Sequence, residues 1–159
     1  GYDGHEFLSV NSRPWMGPKF WCPDMQGTSD GNNYKVFRYA DAILMAAECL
    51  NELDRDEEAL VYLNKTRNRA GIGDYTYRTH IRLQDEIRNE RSRELFGEFQ
   101  RKYDLVRWGT FYQVLSESTD YQARTDNLKP CHEYYPIPDK EVVYSKYALD
   151  NKAYNACGL

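Results

Sequence analysis

Glu90, Glu94 and Glu98 recur at every fourth residue and so would line one face of a helix. Paired carboxyl groups are what acid–base chemistry needs, and glycoside hydrolysis uses two of them held several ångströms apart across a substrate. The neighbouring residues argue against that use. Each of the three has an arginine within one helical turn: Glu90 stands three residues before Arg93, Arg91 three before Glu94, and Glu98 three before Arg101. An arginine at that range holds a carboxylate ionised, whereas a general acid needs its pKa raised. The ladder therefore reads as a solvated helix face with a few ion pairs at the edge of the core, each worth about 0.2–0.5 kcal/mol.

Other reactive side chains are dispersed. His5, His80 and His132 fall in separate loops, with no nucleophile elbow, phosphate loop or His-Glu metal motif around them. Cys22, Cys49, Cys131 and Cys157 include no Cys-x-x-Cys pair, so a zinc site is not expected. Cys49 falls on the apolar side of a helix and is expected to be a buried free thiol. The other three lie in irregular segments where a disulfide can form, and spacing assigns no pairing. Asp30-Gly31-Asn32-Asn33 offers oxygen ligands but lacks the alternation and closing glutamate of a calcium loop, and it reads as a turn. The sequence thus implies no enzyme, no metal and no cofactor.

Binding is the better class. Sugars are recognised by aromatic rings against their C–H faces, flanked by planar polar groups that take the hydroxyls. The irregular segments supply both: Trp15, Trp21, Tyr75 and Tyr77 as rings, with Asn32 and Asn33, joined by Asn11, Arg13 and Asp74, as polar partners. The competing role for these rings is to seal the irregular segments onto the helices. Composition narrows the partner. The 159 residues carry 21 Lys and Arg against 25 Asp and Glu, a net charge of −4, which argues against binding a nucleic-acid backbone. Aromatic residues make up 14% of the chain, a high share for a mean hydropathy of −0.83. No apolar run approaches the roughly 18–20 residues needed to cross a bilayer.

The elements that would position these groups are helical. Residues 82–109 place Leu83, Ile87, Leu95 and Phe99 on one face, with Arg91 breaking the apolar step. A break is expected near Gly97–Arg101, followed by a second helix through Tyr103, Leu105, Val106, Trp108, Phe111 and Leu115, with Trp108 in the core. Upstream, Tyr39, Ile43, Ala46, Ala47, Leu50 and Leu53 form another stripe. Asp56 is placed to cap the next helix, whose inner face is Ala59, Leu60, Leu63, Arg67 and Ala70 and which Gly71 ends. Two helices joined by a short turn make a tetratricopeptide-like hairpin, without a second copy at a fixed period. The expected fold is mainly α: this hairpin, a second helix pair and long irregular arms. Residues 1–36 form an aromatic-rich arm in which Pro14, Pro18 and Pro23 forbid a long helix, and 37–159 form the helical region. Late in the chain, Tyr134-Tyr135-Pro136-Ile137-Pro138 reads as an extended strap, with Asp139 capping a short turn.

Four segments carry a family resemblance. FRYADAILMAAECLNEL at 37–53, ALVYLNKTRNRAG at 59–71, NERSREL at 89–95 followed by RKYDLVRWG at 101–109, and YYPIPDKEV at 134–142 are, in this order, similar to the C-terminal region of the SusD/RagB family of surface nutrient-binding lipoproteins. The resemblance implies a surface-exposed outer-membrane protein that captures glycans without catalysis and hands them to a TonB-dependent, SusC-like transporter. It implies that this chain is a portion of a longer protein, whose N-terminal half would bear the signal peptide and the lipid anchor. It transfers no ligand-binding residue, because that family's sites follow no shared motif. The alternative is a helical scaffold for protein–protein interaction that binds no sugar of its own.

Overall fold

The computed structural model describes residues 19, 35–76, 79–117 and 127–157. The chain divides after Val36 into two units. In the first, Lys35 Nζ donates to the carbonyl of Lys19 at 3.1 Å.

In the second unit, the described residues are helices and loops without a strand. The order is α1 (Tyr39–Glu52), α2 (Asp56–Arg69), α3 (His80–Glu94), α4 (Arg101–Arg107), α5 (Phe111–Ser116), a 3-10 turn (Pro130–Glu133), α6 (Asp139–Tyr144) and α7 (Lys152–Asn155). Helix α1 packs on both α2 and α3, and α2 packs on α3. The core between these three helices is Leu44 and Ala47 from α1, Ala59 and Leu63 from α2, and Leu83 and Ile87 from α3, all 1% exposed or less.

The α1–α2 hairpin forms as expected, but α1 presents a different face. Its buried residues are Asp41, Leu44, Ala47, Glu48 and Asn51, while Tyr39 and Leu53 of the expected stripe point outward at 77% and 65% exposure. The cause is that three polar residues on the inward face have partners on other helices, and those partners outweigh the hydropathy pattern. The turn is made by Asp54 in the left-handed region (φ 57°) and closed by Arg55 N–H donating to the Leu50 carbonyl at 2.9 Å. Asp56 and Asp139 are the first residues of their helices and make no side-chain cap. Asp56 Oδ1 instead accepts from Asn51 Nδ2 at 2.8 Å and lies 2.9 Å from His80 Nδ1. Gly71 ends α2 with φ 73°, where a side chain would be strained.

Polar residues of α2 then fold the following loop back. Asn64 pairs with the backbone of Tyr75 in both directions, at 2.8 and 3.1 Å, and Asn68 Nδ2 donates to Asp74 Oδ1 at 2.7 Å. Thr79 caps α3, its hydroxyl accepting from Arg82 N–H at 3.3 Å. The expected break after α3 is a turn over 95–99. Gly97 (φ 77°) and Phe99 (φ 61°) both take left-handed backbone there, which no continuing helix allows. A second break at Gly109 divides the expected downstream helix into α4 and α5.

No described residue beyond 126 is buried. The late segment is held by other means. A disulfide joins Cys131 to Cys157. Asn151 pairs with both the N–H and the carbonyl of Ile137, at 2.8 and 2.9 Å. Lys102 Nζ sits 3.6 Å from the centre of the Tyr135 ring, which ties the strap to α4.

Candidate functional site

Arg91, which breaks the apolar step of α3, is the centre of a densely connected polar site among the described residues. It is 4% exposed, and Nη1 donates to Asp41 Oδ1 of α1 at 2.8 Å. Its Nε and Nη2 grip both oxygens of Asp104 on α4, at 3.0 and 3.1 Å. Arg107, one turn after Asp104, donates to Asp104 Oδ1 at 2.9 Å and to Glu48 Oε2 at 2.6 Å. The Trp108 indole N–H completes the lattice by donating to Glu48 Oε1 at 2.7 Å. Three helices are thereby fixed by side chains that leave no carboxylate of this lattice unpaired.

The glutamate ladder is a second such lattice, and here the expectation of a solvated face is corrected. Glu90 and Glu98 are 2% and 6% exposed. Arg93 Nη2 donates to Glu90 at 2.7 Å, with Arg67 of α2 close by, and Arg67 reaches Glu86 at 2.8 Å. Arg38, just before α1, donates to Glu98 through Nη2 at 2.6 Å and to Glu94 through Nη1 at 2.9 Å, and Arg69 also pairs with Glu94. The arginines that matter come mostly from other helices, which is why the ladder faces inward. Burial pushes the Glu48 carboxyl up, but hydrogen bonds from Arg107 and Trp108 outweigh it and hold the group below its ordinary range. For Glu48 this is the opposite of a general acid's requirement.

Over the first lattice lies a cavity of about 730 Å³ between α1 and α4. Met45, Cys49, Glu52 and Leu53 form the α1 wall, Gln100 and Tyr103 the α4 wall, and Glu48, Asp104 and Arg107 line it between them. The walls follow from helical spacing: 45, 49 and 52–53 are one stripe of α1, and 100, 103, 104 and 107 are one stripe of α4. Hydropathy alone does not reveal this site. The signal was Arg91 within an apolar face, together with Asp41 and Glu48 seven residues apart on α1.

Of the ring and amide residues proposed from sequence, Trp15, Trp21, Asn32, Asn33 and Tyr77 lie outside the described residues. Tyr75 is half-buried against the three-helix core, and its hydroxyl donates to the Arg82 carbonyl at 3.3 Å. Cys49 is a free thiol but exposed, not buried, since α1 turns that side outward. Trp108 is half-buried and not a core residue. Its ring is flanked by Arg88, Arg101 and Arg107, whose guanidinium carbons lie 5.0, 5.7 and 4.9 Å from the ring centre.

The model of the SusD family matches residues 19–154. SusD-like protein P25 of Formosa agariphila is 36% identical over 155 aligned positions, covering 89% of this chain and 28% of that protein. SusD-like protein P2 of the same organism is 34% identical over 167 positions, covering 94% and 32%. The chain thus spans about a third, or less, of the length of these curated relatives. No solved structure matches it significantly.

Proposed function

The chain belongs to the SusD family, and we propose that it takes part in non-catalytic capture of glycans at the cell surface, for delivery to a TonB-dependent, SusC-like transporter of the outer membrane. Proteins of this family are surface nutrient-binding lipoproteins of that membrane. The observation that supports the non-catalytic part is that arginines engage Glu90, Glu94, Glu98 and Glu48, and that Arg107 and Trp108 hold the Glu48 carboxyl below its ordinary range, the opposite of a general acid. The Cys131–Cys157 disulfide supports a location outside the cytoplasm, where such bonds persist. No described helix is long and apolar enough to cross a membrane. Trp15, Trp21, Tyr75 and Tyr77 are proposed as the contact rings, with Asn32 and Asn33 taking sugar hydroxyls.

Intrinsic tryptophan fluorescence titrated with a panel of soluble oligo- and polysaccharides tests this reading. A saturable shift that disappears in Trp15→Ala or Trp21→Ala is expected. A flat response to the whole panel counts against it. That result would favour the scaffold reading, for which the exposed Tyr39 and Leu53 of the hairpin offer apolar surface.

A further inference from the structure

The cavity between α1 and α4 has features of a ligand site beyond the ion pairs beneath it. Its volume of about 730 Å³ falls within the roughly 300–1,000 Å³ range of small-molecule sites. Its walls are preset. Arg107 holds α4 to α1 through Glu48, and Arg91 holds both helices to α3 through Asp41 and Asp104. A site held open by satisfied bonds needs little ordering when a ligand enters. Tyr103 stands in the wall at 63% exposure, while the next two residues of α4, Asp104 and Leu105, are both 4% exposed. Its ring therefore adds little to the core, and it lines the groove together with Gln100. Glu52 is steadied by Gln84 of α3, whose Nε2 donates to Glu52 Oε1 at 2.7 Å.

Charge then selects among ligands. Four carboxylates (Asp41, Glu48, Glu52 and Asp104) and two guanidinium groups (Arg91 and Arg107) line the cavity, a local net charge of −2. Both guanidinium groups are already engaged by carboxylates. An anionic ligand would meet repulsion without a cation to receive it. A neutral polyhydroxy ligand meets a ring for its C–H face and amide and carboxylate groups for its hydroxyls.

Resting on the glycan reading above, we infer that this groove is a binding site for a neutral sugar unit, stacked on Tyr103 with hydroxyls toward Gln100 and Glu52. It discriminates against uronate-bearing and sulfated glycans.

The test uses the whole chain with neutral hexasaccharides (laminarihexaose, xylohexaose, maltohexaose) and an oligogalacturonate of equal length, read by calorimetry. Modification of Cys49 by a maleimide, followed by peptide mass, reports occupancy of the groove directly. A neutral oligosaccharide at ten times its Kd is expected to slow Cys49 modification about tenfold by mass action. Tyr103→Ala is expected to weaken binding about tenfold, and Tyr103→Phe, which keeps the ring, to retain most of it. If glycan binds equally to wild type and Tyr103→Ala while Cys49 stays fully reactive, the groove assignment falls and glycan capture stands. Equal binding of the galacturonate overturns the charge argument. Cys49 shielding that grows with protein concentration without sugar means a second copy fills the groove, which also overturns the assignment. If none of the oligosaccharides binds, both the site and the glycan reading fail.

Discussion

Arg91 and Asp104 face each other as a two-pronged pair, Nε to Oδ2 at 3.0 Å and Nη2 to Oδ1 at 3.1 Å, with each residue 4% exposed. They are thirteen residues apart in sequence, and the turn at 95–99 makes their meeting possible by folding α4 back across α3. Because Arg91 also holds Asp41, one guanidinium fixes the relation of three helices.

Replacing that guanidinium should be severe. Arg91→Met leaves Asp41 buried without its cation, since Arg107 reaches Asp104 but the Asp41 pair is made by Arg91. A loss of about 3–5 kcal/mol is expected from breaking a buried pair on one side. Urea unfolding monitored by circular dichroism measures it. Arg55→Ala, which removes an exposed pair with Glu58, serves as the control and should leave the midpoint unchanged.

The face that α1 presents can be tested with two leucines. Leu44→Ala empties a fully buried position and should cost about 2–5 kcal/mol. Leu53→Ala, at 65% exposure, should stay within about 0.5 kcal/mol of wild type. Equal effects in thermal unfolding would contradict the observed orientation of the helix.

Stability should fall in acid partly through Glu48. Its carboxyl is held below the ordinary value of 4.5 in the folded state, so its contribution is fully present above that pH and is lost as pH drops through the folded pKa. Urea midpoints measured from pH 6 down to about 2.5, a range that brackets carboxylate titration, should decline. The decline should be shallower in Glu48→Gln, which has no such proton to bind.

The disulfide should act locally. Cys131→Ser or Cys157→Ser opens a span of 26 residues in which no described side chain is buried. The α1–α3 core owes that span nothing, so its amide protection should persist. Exchange at Ile137 N–H, held by Asn151, should accelerate sharply, because the loop-closing constraint, about 3–4 kcal/mol in the chain-entropy treatment, is gone. Hydrogen exchange with peptide resolution reads both. Loss of protection in α1–α3 would show that the span supports the core.

Local signals in the sequence determined much of this protein. Apolar spacing fixed the hairpin and α3, Gly71 fixed the end of α2, and four ordered motifs pointed to the family that the comparisons establish. Those features depend on neighbours within a turn or two, so they are written in short stretches of chain. Tertiary structure alone decided which face of α1 is inward, because Asp41 and Glu48 are buried by arginines 50 and 59 residues away. It also decided that the glutamate ladder is interior and that Cys131 pairs with Cys157. Hydropathy assigns a charged side chain to solvent by default. A buried charge is stable only with its partner in place, and the partner's position becomes known only when the chain has folded back on itself.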